Sequence, residues 1–145
     1  MTCLMCQNPE NFRKLFIKEF KYWKLALHNN QCYLGRCVVI LKRHAEDMFD
    51  ISNEERDELF EIVKKLKTAL IDTFHPDLMN YSSLGNEVRH LHLHVIPRYN
   101  KNVEFAGITF MDKRWGQNPS PYDKGFTVPE NVYERLVEKI SSKLR

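Results

Sequence analysis

The sequence predicts one compact domain in which several β-strands are combined with two amphipathic helices. Three observations support this prediction. The chain has 145 residues and is 43% hydrophobic, which is enough for one core and too little for two ordinary domains. Runs rich in aromatic and β-branched residues are separated by turn signals, which is typical of strands. Two stretches repeat apolar residues every three or four positions, which is typical of helices. Residues 1–145 are therefore expected to form a single domain.

Strands are expected early in the chain. Residues 20–27 have the aromatic richness of a strand, and the polar residues 28–31 predict a turn after it. Residues 37–41 are a continuous apolar run, which indicates a strand buried on both faces. A hairpin is therefore expected here, with a further short strand and turn within residues 80–86.

Two helices are predicted. Ser52 and Glu55 form a capping box, in which both side chains satisfy backbone N–H groups at a helix start, so the first helix should span about residues 53–74. The second helix should occupy residues 127–145. Their apolar stripes are Leu59, Ile62, Val63, Leu66, Leu70, Ile71 and Phe74 in the first, and Val132, Leu136, Val137, Ile140 and Leu144 in the second. The loop-rich residues 100–126 before the second helix are either a mobile tail or a lid over a site.

The charge pattern argues against nucleic-acid binding. The 22 basic and 19 acidic residues give a net charge of +3 and are dispersed, without a basic block. No apolar run approaches the roughly 20 residues of a membrane span, and no export signal is recognisable, so a cytoplasmic protein is expected. In that reducing compartment Cys3, Cys6, Cys32 and Cys37 should be free thiols or metal ligands.

The residues with the clearest chemical potential are three alternating histidines. In a strand, His90, His92 and His94 would share one face while the intervening aliphatic residues face the core. Same-face imidazoles suit either metal binding or nucleophilic catalysis. The backbone of Gly85 and the amide of Asn86 are suited to bind phosphoryl oxygens, but the spacing alone leaves both options open.

The pattern resembles the histidine triad (HIT) superfamily of nucleotide hydrolases and transferases. The resemblance covers residues 3–99 and includes the triad, Asn80, the Leu-Gly-Asn of residues 84–86 and the apolar strand ending in His44. It implies an α+β fold, with an antiparallel sheet of about five strands, one long helix and a C-terminal helix. It also implies a homodimer and no organic cofactor.

The resemblance also implies roles for individual residues. His92 matches the nucleophile that attacks the α-phosphorus of a nucleotide, and His94 matches the residue that assists the leaving group. A histidine at position 94 is associated with hydrolases. The expected nucleotide-binding residues are His28, Asn29, Asn80, Gly85, Asn86, Glu87 and His94. His28 stands at the ribose-binding position, where Asn29 or Asn30 could substitute for it.

A metal site is expected at the N-terminus. Cys3 and Cys6 form a lone CxxC, which needs a second pair of ligands to bind zinc. In a zinc-bearing subgroup of the resembling family that second pair corresponds to His44 and His90. The resemblance therefore implies a structural zinc ion, against the alternative of unligated thiols.

Three functions remain open from the sequence. The first is hydrolysis of a dinucleoside polyphosphate or nucleoside phosphoramidate through a nucleotidyl-His92 intermediate. The second is a nucleotide-sensing module without turnover, whose partner surface surrounds Trp115. The third is a metalloenzyme in which all three triad histidines bind the ion.

Overall fold

The computed structural model describes residues 3–7 and 10–144. The elements are α1 (Leu4–Gln7), a 3-10 helix (Glu10–Leu15), β1 (Phe16–Glu19), β2 (Trp23–Leu27), β3 (Cys37–Leu41), a 3-10 turn (Met48–Asp50), α2 (Asn53–Phe74), β4 (Leu78–Ser82), β5 (His92–Arg98), β6 (Val103–Phe105), β7 (Ile108–Phe110) and α3 (Glu130–Lys143). The end of the predicted C-terminal helix, Arg145, lies outside the described residues.

Five strands form one antiparallel sheet in the order β1-β2-β3-β5-β4. The expected α+β fold with a five-stranded antiparallel sheet is confirmed. In the centre of the sheet, Val38 on β3 lies opposite His94 on β5, and Ile40 lies opposite His92. The two triad histidines of β5 therefore stand on the middle of the sheet.

The core forms around β3 and α2. All five residues of β3 are buried, as its unbroken apolar run predicts. Helix α2 has the predicted bounds and the predicted capping box at Ser52 and Glu55. The indole Nε1 of Trp23, which is fully buried, donates to the backbone oxygen of Glu55 over 2.8 Å. This bond ties β2 to the beginning of α2.

The loop before β3 approaches α2 so closely that one position requires glycine. Gly35 has φ of 86°, and a Cβ there would lie 3.1 Å from Cδ2 of Leu70 and 3.2 Å from the ring of Phe74. A side chain would therefore be strained in backbone and in packing. The helix ends soon afterwards at His75, an exposed C-cap residue with φ of 52°.

Two predictions about local structure were wrong. Residues 20–27 are not one strand, because β1 and β2 form a hairpin whose turn is closed by the Phe20 N–H bonding the oxygen of Trp23. The loop-rich residues 100–126 contain a second hairpin, β6–β7. Its two turn residues, Ala106 and Gly107, both have positive φ, the conformation of a tight type I′ turn.

Helix α3 packs against α2 and β1. Val132, Leu136 and Ile140 of its predicted stripe are buried. Lys14 and Glu130 form an exposed ion pair at the start of the helix. Within residues 3–7 and 10–144, no helix has both the length and the apolar character needed to cross a membrane.

Candidate functional site

An open cleft of about 1360 Å³ lies over the face of the sheet that carries the two histidines of β5. Side chains of β2 to β5 form its floor, and the N-terminal segment forms part of its wall. The predicted nucleotide-binding residues that line it are His28, Asn29, Asn80, Gly85, Asn86, Glu87 and His94, together with the predicted nucleophile His92. The structure therefore brings all of these residues to one cavity.

The orientation of His92 follows from one hydrogen bond. Its Nδ1 lies 2.5 Å from the backbone oxygen of His90. A carbonyl oxygen can only accept, so Nδ1 carries the proton and Nε2 of the neutral ring keeps its lone pair. The ring is held 4.9 Å from that of His94, centroid to centroid. His92 thus has the tautomer that a nucleophilic histidine needs.

His94 is held by Arg36, which the sequence analysis did not single out. The Nη2 of Arg36 lies 3.3 Å from Nδ1 of His94. Because a guanidinium can only donate, Nδ1 is the acceptor and Nε2 carries the proton of the neutral ring. Burial, followed by the charge of Arg36, lowers the pKa of His94 to about 3. His94 is therefore neutral near pH 7.

His28 lies next to His94 in the cleft. Its ring lies 5.6 Å from that of His94 and 5.9 Å from that of Tyr122, centroid to centroid. Nδ1 of His28 lies 3.0 Å from the backbone nitrogen of Asn30 and 3.2 Å from its backbone oxygen, so the backbone of Asn30 fixes the orientation of the ring. Burial, followed by the charge of Arg36, lowers the pKa of His28 to about 4. His28 is thus a neutral imidazole in the cleft near pH 7.

The structure distinguishes between the two asparagines after His28. Asn30 is buried, its Nδ2 donates to the oxygen of Asp123, and its Oδ1 accepts from the N–H of Cys32. Asn29 is exposed and lines the cleft. Asn29 is therefore the residue of the pair that is placed to contact a ligand.

On the opposite side of the cleft, Asn80 is oriented by Arg98. The guanidinium of Arg98 donates to Oδ1 of Asn80 over 2.8 Å, so the amide nitrogen remains as the available donor. Gly85 has φ of 68° at the turn before β5, and Asn86 and Glu87 beside it are exposed. These three residues form the rim of the cleft next to the histidines.

Four predicted metal ligands lie together and include His90, whose backbone oxygen contacts His92. The ligand atoms of Cys3, Cys6, His44 and His90 all lie within 4.8 Å of one another. Nδ1 of His90 lies 3.3 Å from the sulfur of Cys3, 3.4 Å from that of Cys6 and 3.2 Å from Nδ1 of His44. Tetrahedral zinc ligands with ordinary bond lengths are about 3.3–3.8 Å apart. The cluster could therefore hold a metal ion.

The tautomer of His90 also suits a metal ligand. Its Nε2 lies 2.6 Å from the backbone oxygen of Leu41, which can only accept, so Nδ1 keeps its lone pair toward the two sulfurs. Strand β5 begins at His92, so the prediction that all three histidines lie on one strand was wrong for His90. Within residues 3–7 and 10–144, this is the one cluster of metal-ligating side chains found, and it excludes His92 and His94.

Residues 112–122 of the loop-rich part of the chain, which we call the closing segment, contribute part of one wall of the cleft through Gln117, Asn118, Pro119, Ser120 and Tyr122. Arg98, 2% exposed, donates to both carboxylate oxygens of Asp112 and to the backbone oxygens of Arg114 and Gln117. The hydroxyl of Tyr33 donates to the oxygen of Pro119. The closing segment is thus bonded to the rest of the domain and does not form a free tail.

Sequence reasoning missed four residues that shape the site. Arg36, Tyr33, Asp112 and Tyr122 are separated in the sequence and form no recognisable motif. The sequence feature that could have drawn attention to Arg36 is the position of a charged residue directly before a fully apolar strand. Trp115, assigned in the sensing hypothesis to a partner surface, is 37% exposed and does not line the cleft.

Comparison with known proteins agrees with this geometry. A family model described as "HIT domain" matches residues 9–101. A curated relative called "Protein hit" from Bacillus subtilis is 32% identical over 84 residues, which are 54% of this chain and 58% of that protein. An adenosine 5'-monophosphoramidase from Schizosaccharomyces pombe is 30% identical over 112 residues, which are 77% of this chain and 74% of that protein.

A solved structure of a zinc-bound histidine triad family protein from Mycobacterium smegmatis has the same fold. Its TM-score is 0.64 at 20% identity, and the match covers 99% of this chain and 94% of that one. The match of the family model to more than half of the chain agrees with the triad cleft and with the five-stranded sheet. This chain belongs to the HIT domain family.

Proposed function

We propose that the protein is a hydrolase that acts at the α-phosphate of a nucleotide derivative through a covalent nucleotidyl-His92 intermediate. The observation that carries this proposal is the hydrogen bond from Nδ1 of His92 to the oxygen of His90, which leaves the Nε2 lone pair as nucleophile. The Schizosaccharomyces pombe relative, named as an adenosine 5'-monophosphoramidase, supports this class of reaction.

The reaction takes two steps. First, Nε2 of His92 attacks the α-phosphorus, a P–N bond forms, and the bond to the leaving group breaks with its electron pair going to that group. Second, water attacks the same phosphorus and the P–N bond breaks, returning its electron pair to Nε2. The attacking water loses one proton to solvent, and a nucleoside monophosphate is released.

The other cleft residues bind and orient the substrate in this proposal. The Nε2–H of His94 donates to the phosphate or to the leaving-group atom. The amides of Asn80 and Asn86 and the backbone at Gly85 contact phosphate oxygens. His28 and Asn29 contact the ribose, and Glu87 lies at the rim where the leaving group departs.

We assign a structural role to zinc. Cys3, Cys6, His44 and His90 would hold the ion, and their two thiols and two imidazoles are a donor set that zinc prefers. A bound zinc ion would link the N-terminal segment to the sheet and would take no part in the reaction. His90 is then fixed, and its carbonyl oxygen fixes His92. The family resemblance further leads us to propose a homodimer, which sedimentation equilibrium would test.

Hydrolysis in water enriched with ¹⁸O tests the proposed function. Attack at the α-phosphorus places the label in the nucleoside monophosphate, and attack at a more distant phosphorus places it in the other product. We expect label in the monophosphate and no product from His92→Ala, with His75→Asn as the control because His75 is exposed at the end of α2 and asparagine tolerates its left-handed conformation. Tight nucleotide binding by the wild type without any turnover would favour the sensing module instead.

A further inference from the structure

Arg36 is a buried cation without an anionic partner. Its side chain lines the cleft, the residue is 6% exposed, and its Nε and Nη1 have no hydrogen-bond acceptor among the described side chains, those of residues 3–6 and 12–144, or the described backbone. No described carboxylate side chain forms a salt bridge with it, and its guanidinium lies over the ring of Tyr122, 4.8 Å from the centroid. A buried charge of this kind is stabilised by a counter-charge, and the described side chains supply none.

The surroundings of Arg36 favour a ligand with more negative charge than one phosphate. Among the charged side chains that line the cleft, Lys14, Lys24 and Arg36 are positive and Glu87 is negative. Lys14 is paired with Glu130, whereas Lys24 and Arg36 form no ion pair with any described side chain. The described wall of the cleft therefore carries unpaired positive charge beside the histidines.

Arg36 also decides what His94 can do. Its Nη2 donates to Nδ1 of His94, the atom that would have to gain a proton for the ring to become imidazolium. With Nδ1 engaged, His94 can donate a hydrogen bond from Nε2 but carries no second proton to transfer. The low pKa of His94, about 3, agrees with this geometry.

This arrangement distinguishes two kinds of leaving group. When the P–N bond of a phosphoramidate breaks, the departing nitrogen receives the electron pair and must be protonated to leave as an amine. When a P–O bond to a phosphate or polyphosphate breaks, the departing oxygen keeps the pair and leaves as an anion. The second departure needs a positive charge and no proton donor, which is what Arg36 beside a neutral His94 offers.

We propose that Arg36 is a substrate-binding residue that selects leaving groups departing as anions, phosphate or polyphosphate, over leaving groups departing as amines. The proposal rests on the proposed function for its reaction and on the unpaired guanidinium of Arg36 for its selectivity. Arg36 thereby acts on the substrate directly and on His94 through Nδ1.

Kinetics with two substrates test the selectivity. We expect the wild type to hydrolyse diadenosine tetraphosphate with a higher kcat/KM than adenosine 5'-phosphoramidate. Arg36→Met should lower kcat/KM for the tetraphosphate by about tenfold or more, the size of a lost charge-assisted hydrogen bond. For the phosphoramidate the loss of kcat/KM should be clearly smaller, because an amine leaving group does not depart as an anion. The control is Arg135→Met, which removes another arginine stacked on an aromatic ring, that of Phe105, outside the cleft.

Two further measurements separate this proposal from a structural role for Arg36. Calorimetry with inorganic pyrophosphate should show binding to the wild type and about tenfold weaker binding to Arg36→Met. Nitrogen-15 NMR should show the Nε2–H tautomer of His94 in the wild type and a higher pKa of His94 in the variant. Arg36→Lys keeps the charge and should retain most of the preference for the tetraphosphate, so it serves if Arg36→Met does not fold.

The experiments distinguish a failure of the proposed selectivity from a failure of the proposed function. An equal loss for both substrates in Arg36→Met, or unchanged pyrophosphate binding, would overturn the selectivity while leaving the proposed function intact. Failure of the wild type to hydrolyse either substrate would reject the proposed function, and pyrophosphate binding would then still decide for or against an anion site at Arg36.

Discussion

The backbone oxygen of His90 accepts the Nδ1 proton of His92 across 2.5 Å. The same residue points Nδ1 of its own ring at the sulfurs of Cys3 and Cys6. One residue therefore belongs to the metal-ligand cluster through its side chain and to the reaction site through its backbone. This relationship makes the state of the cluster relevant to the geometry of the nucleophile.

Removal of one metal ligand should affect stability and turnover together. In His44→Asn we expect native mass spectrometry to show loss of one zinc ion per chain. The thermal midpoint should fall by roughly 5 °C or more, because metal binding contributes to folding free energy. A lower kcat should accompany it as His92 loses its orientation. His75→Asn is the matched control, since asparagine tolerates the left-handed conformation of that exposed residue. Retention of zinc by His44→Asn would contradict the assignment of the ligands.

Breaking the ion pair of Arg98 and Asp112 should destabilise the fold strongly. The two side chains are 3% and 0% exposed, and Asp112→Asn leaves the guanidinium buried without its partner charge. We expect the free energy of unfolding to fall by about 3–5 kcal/mol in urea titrations. Asp57→Asn, which removes one partner of the exposed Arg56–Asp57 pair, should change it by less than about 1 kcal/mol. Similar small losses in both variants would show that the pair does not hold the closing segment.

Glu55 of the capping box should make the stability of the protein depend on pH in the acid range. Hydrogen bonds from Arg43 lower the pKa of Glu55 from 4.5 to about 2, opposed by burial and assisted by Ser52. Because the folded-state pKa is the lower one, the stabilisation is present above pH 4.5 and is lost as the pH falls toward 2. Glu55→Gln should therefore be less stable than the wild type by about 1 kcal/mol or more at pH 7. That difference should shrink between pH 4.5 and pH 3 in chemical denaturation. A difference that stays constant with pH would rule out the charge of Glu55 as its cause.

Those parts of the fold that depend on local chemistry were predictable from the sequence. Helix α2 begins and ends at the predicted residues, because Ser52 and Glu55 mark its start and the apolar stripe ends at Phe74. Strand β3 coincides with its apolar run. The hairpin β6–β7 was missed because its strands have three residues each, too few to show alternation.

Site residues that belong to short sequence motifs were predictable, whereas those brought together only by folding were not. The resemblance led to His92, His94 and the four metal-cluster residues, and the structure places each group together. Arg36 and Tyr122 are far apart in the chain and meet only in the folded structure. Arg36 is informative because it is buried without a partner, and burial cannot be seen in the sequence. For the same reason, sequence alternation put His90 on the strand, although its ring is turned to the cluster.

The central claim is that Nε2 of His92 forms a bond to the α-phosphorus of a nucleotide. Intact-protein mass spectrometry tests it most directly, after brief incubation with an adenylate donor and a denaturing quench kept above neutral pH, since P–N bonds to histidine are acid-labile. The account predicts an adduct of one nucleoside monophosphate per chain in the wild type and in His75→Asn, and none in His92→Ala. Product formation by the wild type without any adduct, or an adduct that persists in His92→Ala, would contradict it.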